Sequence, residues 1–149
     1  MWAVKYRDAV LRPEMKPLVV DTIHRVLADR GHTPFATNFE PDHLHTLFKF
    51  TAREDIGKTL QAIKGTSSHN LNAAFFAKAD RFRWQSGYAA FSVCPTHVRS
   101  KKQYIDDQQE IHARRRFELE YRDMLDEAPL LDLGEDDEPY WDWVPLEER

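Results

Sequence analysis

Two short spacings in this sequence gather side chains able to do chemistry. The first is His43-Leu44-His45. On a strand, alternate side chains share a face, so both imidazoles project the same way, about 7 Å apart. Two neutral imidazoles on one face are natural metal ligands; a packed or solvated histidine pair is the plainer reading of the strand alone. The second is Tyr104 and Gln108, one helical turn apart on one face if the segment is a helix. A phenol is a poor nucleophile at neutral pH, because it ionises only far above it. It becomes useful where a metal polarises the electrophile. A glutamine amide oxygen can complete a two-histidine site and leave positions for phosphate oxygens and water, a mixed shell that suits Mg²⁺ or Mn²⁺. Taken alone, this pair too reads more simply as a half-buried tyrosine and an exposed glutamine.

These residues need elements to hold them. Residues 2–7 contain β-formers and predict a short first strand. Leu18, Val19, Ile23, Val26 and Leu27 recur at helical spacing after Pro17, and Gly31 is placed to stop that helix. Residues 33–39 and 43–50 predict two strands of a hairpin turned by Glu40-Pro41-Asp42, which places the histidine pair on the second strand. A second helix is expected from Asp55 towards Ile63, resuming after Gly65 to Phe76. Residues 82–93, aromatic and β-branched around Gly87, predict a bent or bulged strand pair. Pro95-Thr96 opens a third helix with Thr96 as cap, running through Tyr104 to about Ile111, and 117–125 predicts another. The order is that of an α+β, ferredoxin-like split βαβ sandwich, an antiparallel sheet with helices packed on one face, plus a C-terminal helical extension. Many functions use that plan.

The two constellations, in their order along the chain, resemble a known family. Pro41-Asp42-His43-Leu44-His45 with its apolar continuation is similar to the His-hydrophobic-His motif of the HUH endonucleases. The chain more narrowly resembles the small single-domain tyrosine transposases of bacterial insertion sequences. The stretches 60–68, 82–93 and 102–108 and the run Arg114-Arg115-Arg116-Phe117 carry the likeness, which spans roughly residues 2–125. The resemblance implies His43, His45 and Gln108 as ligands of a divalent metal, Mg²⁺ or Mn²⁺. It implies Tyr104 as the nucleophile on a phosphodiester of single-stranded DNA, forming a 5′-phosphotyrosine link that a 3′-hydroxyl later resolves. Such a link conserves bond energy, so no nucleotide cofactor is needed. Asp42 is either a partner that steadies His43 or simply a turn residue. The resemblance also implies a homodimer with composite active sites, and DNA hairpins as the substrate's recognised ends. A relative that binds such hairpins without cleaving them is the alternative.

For DNA contact the resemblance points to Lys58, Lys64, Thr66, Ser67 and Ser68, with Arg81, Arg83, Lys101 and Lys102 as further counter-charge. Trp84 and Tyr88 are either base-stacking or core residues. Two departures stand out: the first strand begins closer to Met1 than is usual, suggesting a truncated or shifted start, and Thr46 and Lys49 make the motif strand unusually polar.

Composition sets the frame. The 149 residues suit one domain, 1–125, and an acidic, extended tail, 126–149. The single cysteine, Cys94, excludes a disulfide framework within the chain. No apolar run is long enough for a membrane span, and a cytoplasmic protein is expected. The net charge of −4 hides a division. Residues 1–108 hold sixteen Lys/Arg against eleven Asp/Glu, and residues 109–149 hold five against fourteen. A mildly basic body therefore carries an acidic tail, for which solubility is the plain reading and restraint of non-specific DNA binding the sharper one.

Overall fold

The computed structural model describes residues 1–51 and 53–108. The elements run β1 (Trp2–Ala3), α1 (Lys16–Asp29), β2 (Thr33–Glu40), β3 (His43–Lys49), α2 (Ile56–Phe75) and α3 (Val98–Asp106), with short 3₁₀ turns at Lys5–Arg7, Pro13–Met15 and Pro95–His97. The expected helix 117–125 and the tail 126–149 lie outside the described residues.

Val19, Ile23 and Leu27, four apart, form the buried stripe of α1. Gly31, at φ 76°, ends that helix. Its N–H meets Ala28 O, and the next N–H, of His32, meets Leu27 O, the paired bonds of a glycine-terminated helix. The buried His32 then joins three element ends: its Nδ1 accepts from Thr51 N–H, and its Nε2 lies 3.1 Å from Thr59 Oγ1.

The sheet is antiparallel, in the order β1-β3-β2. A two-residue loop, Pro41-Asp42, joins Glu40 to its partner His43, and the register sets His45 opposite Asn38 and Leu44 opposite Trp2. Strand alternation therefore divides the residues between two faces. Leu44 and Phe39 point into the apolar core with Val19, Ile23, Leu27, Leu60, Ile63 and Leu71 from α1 and α2. His43, His45 and Asn38 point to the opposite face, where α3 lies across β2 and β3. The fold is the expected α+β plan: α1 and α2 cover one face, and β3 is inserted between β1 and β2, the two strands that α1 connects.

The first strand stops at Ala3, where 2–7 was expected, because Lys5–Arg7 turns as a 3₁₀ helix, and three further details differ from expectation. First, α2 is a single helix of 20 residues that runs straight through Gly65. Asp55 caps it by accepting from Lys58 N–H. Burial of Thr59, Leu60, Ile63, Ser67 and Leu71 along one side outweighs the cost of one internal glycine. Second, residues 82–93 hold no strand pair. Trp84 alone bridges Val4, flanked by Lys5 N–H to Arg83 O and Gln85 N–H to Ala3 O. This bridge stands where a fourth strand would sit, beside a β1 only two residues long. Beyond it Lys64 Nζ gathers the carbonyls of Gln85, Ser86 and Gly87, at 3.1, 3.1 and 2.6 Å, in a bulge after which Ala89 returns to exchange two backbone hydrogen bonds with Met1. Third, Thr96 does not cap α3: its hydroxyl faces Cys94 Sγ, and a 3₁₀ turn leads into the helix.

Candidate active site

The histidine pair sits where the hairpin loop meets β3. His43 is 2% exposed and His45 5%, unusual burial for two polar rings on a sheet face. Their ring centroids are 5.3 Å apart and their planes cross at 72°. Asp42 fixes the first ring: its Oδ1 lies 2.6 Å from His43 Nδ1. If that nitrogen carries the proton, Nε2 keeps its lone pair and points away from the loop.

Asp42 is itself held. Arg7 donates through Nε and Nη2 to Asp42 Oδ2, at 3.1 and 2.6 Å. Burial alone would raise the Asp42 pKa. The hydrogen bond and charge of His43, followed by those of Arg7, outweigh burial and hold it at about 2. The carboxylate is thus ionised across the physiological range. Arg7 carries no signal in the sequence, because its partner stands thirty-five residues away.

Gln108 reaches the pair from the other side. It is fully buried, with its amide Nε2 3.5 Å from His43 Nε2. Rotating the amide by half a turn exchanges its oxygen into that position. The bond from Asp107 N–H to Gln103 O continues the helical path past the end of α3, so Gln108 and Tyr104 keep the one-turn relation expected of them. Tyr104 is half-buried on this helix.

The docking of α3 depends on a residue the sequence did not advertise. Asn38 is 1% exposed and stands directly across the hairpin from His45. Its Nδ2 donates to the carbonyls of Ile105, at 2.8 Å, and Asp106, at 3.3 Å, while its Oδ1 accepts from Phe39 N–H. These carbonyls belong to the open C-terminal end of α3, where helical acceptors lack partners. One side chain from β2 therefore ties the helix bearing Tyr104 to the sheet bearing the histidines.

No group of three His, Cys, Asp or Glu converges among the described residues. The convergent set is instead two imidazoles and an amide. His43, His45 and, with its amide oxygen turned inward, Gln108 would offer a mixed nitrogen and oxygen donor set suited to a divalent ion such as Mg²⁺ or Mn²⁺.

The basic residues expected to touch DNA fall in several places. Lys58, Thr66, Arg81, Arg83 and Lys102 are exposed, and Lys102 pairs with Asp106 at 2.6 Å. Lys101 is half-buried on α3. Lys64, Ser68 and Arg83 share a groove of about 440 Å³ with Tyr88, which is 40% exposed. The Lys64 ammonium is engaged by three carbonyls, and burial lowers its pKa to about 8. Ser67 is a correction. It is 1% exposed, its hydroxyl donating to Ile63 O and accepting from the Trp84 indole, so it belongs to the core rather than a DNA surface. Trp84 is likewise a core residue, 4.7 Å from Phe82 and 5.8 Å from Trp2 between ring centroids.

Known proteins share this arrangement of chain. The ISDra2 transposase TnpA of Deinococcus radiodurans is 26% identical over 112 residues, covering 72% of this chain and 80% of that one. A crystal structure assigned as a transposase from Deinococcus radiodurans R1 superposes with a TM-score of 0.57 at 28% identity, covering 72% of this chain and 85% of the other. The family profile described as Transposase IS200 like matches residues 1–108, which takes in both histidines, the tyrosine and the glutamine. The chain belongs to the IS200-like transposase family.

Proposed function

We propose that this transposase cleaves and rejoins single-stranded DNA through Tyr104, at a divalent-metal site formed by His43, His45 and Gln108, and that it recognises hairpins at the ends of an insertion sequence. The observation that carries this reading is the convergence of two buried imidazoles and a buried amide beneath the helix that bears the tyrosine. A phenol on that helix and a pair of metal-binding rings on the sheet are the two parts a phosphoryl transfer needs.

In the forward step the Tyr104 oxygen attacks phosphorus, the bond to the 3′-oxygen breaks, and the phenol proton is given up as the new ester forms. The departing strand keeps a 3′-hydroxyl. Rejoining reverses these bonds, with a 3′-hydroxyl displacing the tyrosine, so no external energy source enters. Mg²⁺ or Mn²⁺ bound at the site would draw negative charge from the phosphate oxygens. Asp42 holds His43 in one orientation and one tautomer. Arg7 keeps Asp42 ionised and in place, and Asn38 keeps the end of α3 against the sheet. The protein is expected to act as a homodimer in the cytoplasm, with Lys58, Arg81, Arg83 and Lys101 supplying counter-charge to DNA and Thr66 a hydroxyl contact to phosphate.

Incubation with labelled single-stranded DNA and Mn²⁺ tests the assignment. The expected result is a covalent protein–DNA adduct that disappears in Tyr104→Phe while DNA binding persists. An adduct that survives the substitution removes Tyr104 as nucleophile. Binding of hairpin DNA with no adduct in the unaltered protein would leave a non-cleaving binding protein.

A further inference from the structure

Residues 5–8 turn in a way that their residue types do not favour. Tyr6 has φ 59° and ψ 11°, and Arg7 follows with φ 56°. Both lie in the left-handed region, which costs an ordinary L-residue about 1 kcal/mol or more. The turn sends two neighbouring side chains in opposite directions. Arg7 goes inward to Asp42. Tyr6 goes outward and is 62% exposed, above the other large exposed apolar residues described, Phe50 at 39% and Tyr88 at 40%. Backbone strain of this kind persists where the surroundings fix it, and it concentrates at working positions.

The surroundings of the ring are cationic. Lys5 Nζ stands over it, 4.9 Å from the centroid. The ring also lines a groove of about 640 Å³ between residues 4–10 and 76–83. Lys5, Lys78, Arg81 and Arg83 line that groove against Asp8 and Asp80, over apolar walls that include Val4, Phe76 and Phe82. An exposed aromatic face flanked by cations is the pairing that holds single-stranded nucleic acid: the ring stacks on a base, and the cations take the adjoining phosphates. A duplex keeps its base faces covered and does not offer one to such a ring.

We infer that Tyr6 is a stacking platform for an unpaired base of the DNA substrate, with Lys5, Arg81 and Arg83 holding the neighbouring phosphates. The inference rests on the proposed reading of the protein as a single-stranded DNA transposase. Its position gives the platform a use. Tyr6 adjoins Arg7, whose guanidinium is 2.6 Å from the carboxylate that holds His43. A base seated on Tyr6 would anchor the strand in the groove on the opposite side of this turn from Arg7.

The test measures fluorescence anisotropy of a labelled twenty-nucleotide oligo(dT) and of a blunt duplex of equal length, with thermal unfolding of each variant. Glycine prefers the backbone of position 6, so Tyr6→Gly is expected to unfold at the same temperature or higher. The same variant should lose about tenfold in single-strand affinity, with duplex affinity unchanged. Tyr6→Trp should retain single-strand binding. If Tyr6→Gly binds oligo(dT) as the unaltered protein does, the platform is overturned and the proposed function stands. If it loses stability together with both affinities, Tyr6 is a structural turn residue, and the platform is again overturned. If the unaltered protein binds no single strand, the reading of the protein itself fails and the platform with it.

Discussion

In the proposed site Asp42 is the residue placed to tune the chemistry, because one carboxylate answers to two partners. Its Oδ1 meets His43 Nδ1 and its Oδ2 meets the Arg7 guanidinium, so neither oxygen is left to solvent alone. A carboxylate behind a metal-binding imidazole raises ring basicity and fixes its orientation, and losing such a partner typically lowers metal affinity about 10–100-fold. Asp42→Asn should therefore weaken Mn²⁺ binding by that factor in calorimetric titration. Arg7→Ala should weaken it less, since His43 keeps its direct partner. Unchanged Mn²⁺ affinity in Asp42→Asn would reduce Asp42 to a turn residue. The two residues differ in how readable they are. Asp42 neighbours His43 in sequence and was visible as a candidate, whereas Arg7 comes from across the sheet. The same contrast holds for the other proposed site residues. His43 with His45, and Tyr104 with Gln108, are related by the local repeat of a strand and of a helix, so their shared faces could be read from spacing.

At the scale of elements, the site depends on how a helix is fastened to a sheet, and spacing is silent about that. Asn38 and Ile105 are sixty-seven residues apart. Nothing within β2 marks Asn38 as different from a strand residue that happens to be polar. Asn38→Ala would leave the Ile105 carbonyl and the Phe39 N–H without that partner, each buried loss being worth about 1–3 kcal/mol, and would remove the part-buried bond to the Asp106 carbonyl. The expected outcome is a single-turnover adduct rate at least about tenfold lower, with single-strand affinity retained, because the tyrosine is displaced while the DNA surface is not. Equal rates would show that α3 is held by other contacts. The hairpin and α1 were legible because their turn and cap residues, Pro41-Asp42 and Gly31, sit at element ends. The continuity of α2 was not, because a central Gly65 looks like a break until the buried row from Thr59 to Leu71 is seen to span it. A Cβ built at Gly65 meets nothing within 4 Å. Gly65→Ala should therefore stabilise the protein by about 0.5–1 kcal/mol, read from its denaturant midpoint. A lower midpoint would mean that this helix turn is strained. The missing strand pair at 82–93 has the opposite origin. Its β-forming residues are real, but β1 supplies only two residues at the sheet edge and Lys64 claims the next three carbonyls.

For the whole molecule the governing quantity is charge, and its sign depends on where the chain is cut. The complete sequence carries −4. Residues 1–125 hold twenty Lys/Arg against fifteen Asp/Glu, a balance of +5, so the last twenty-four residues alone reverse the sign. The family profile ends at residue 108, before this acidic stretch, and the four proposed site residues all lie within it. A tethered acidic segment competes with phosphate for the same cations, including exposed Lys58, Arg81 and Arg83, whether or not it adopts a fixed position. Such competition is screened by salt over a Debye length of about 10 Å at 0.1 M. A chain ending at residue 125 should therefore bind a non-cognate single strand more tightly at low salt, by about tenfold, and show a steeper fall of affinity as salt rises. The two forms should converge towards 1 M salt, where screening removes the difference. Unfolding temperature measured alongside separates a change in binding from a change in stability. If instead affinities coincide at every salt concentration while the shortened chain precipitates, the acidic segment serves solubility and leaves DNA binding to the basic body.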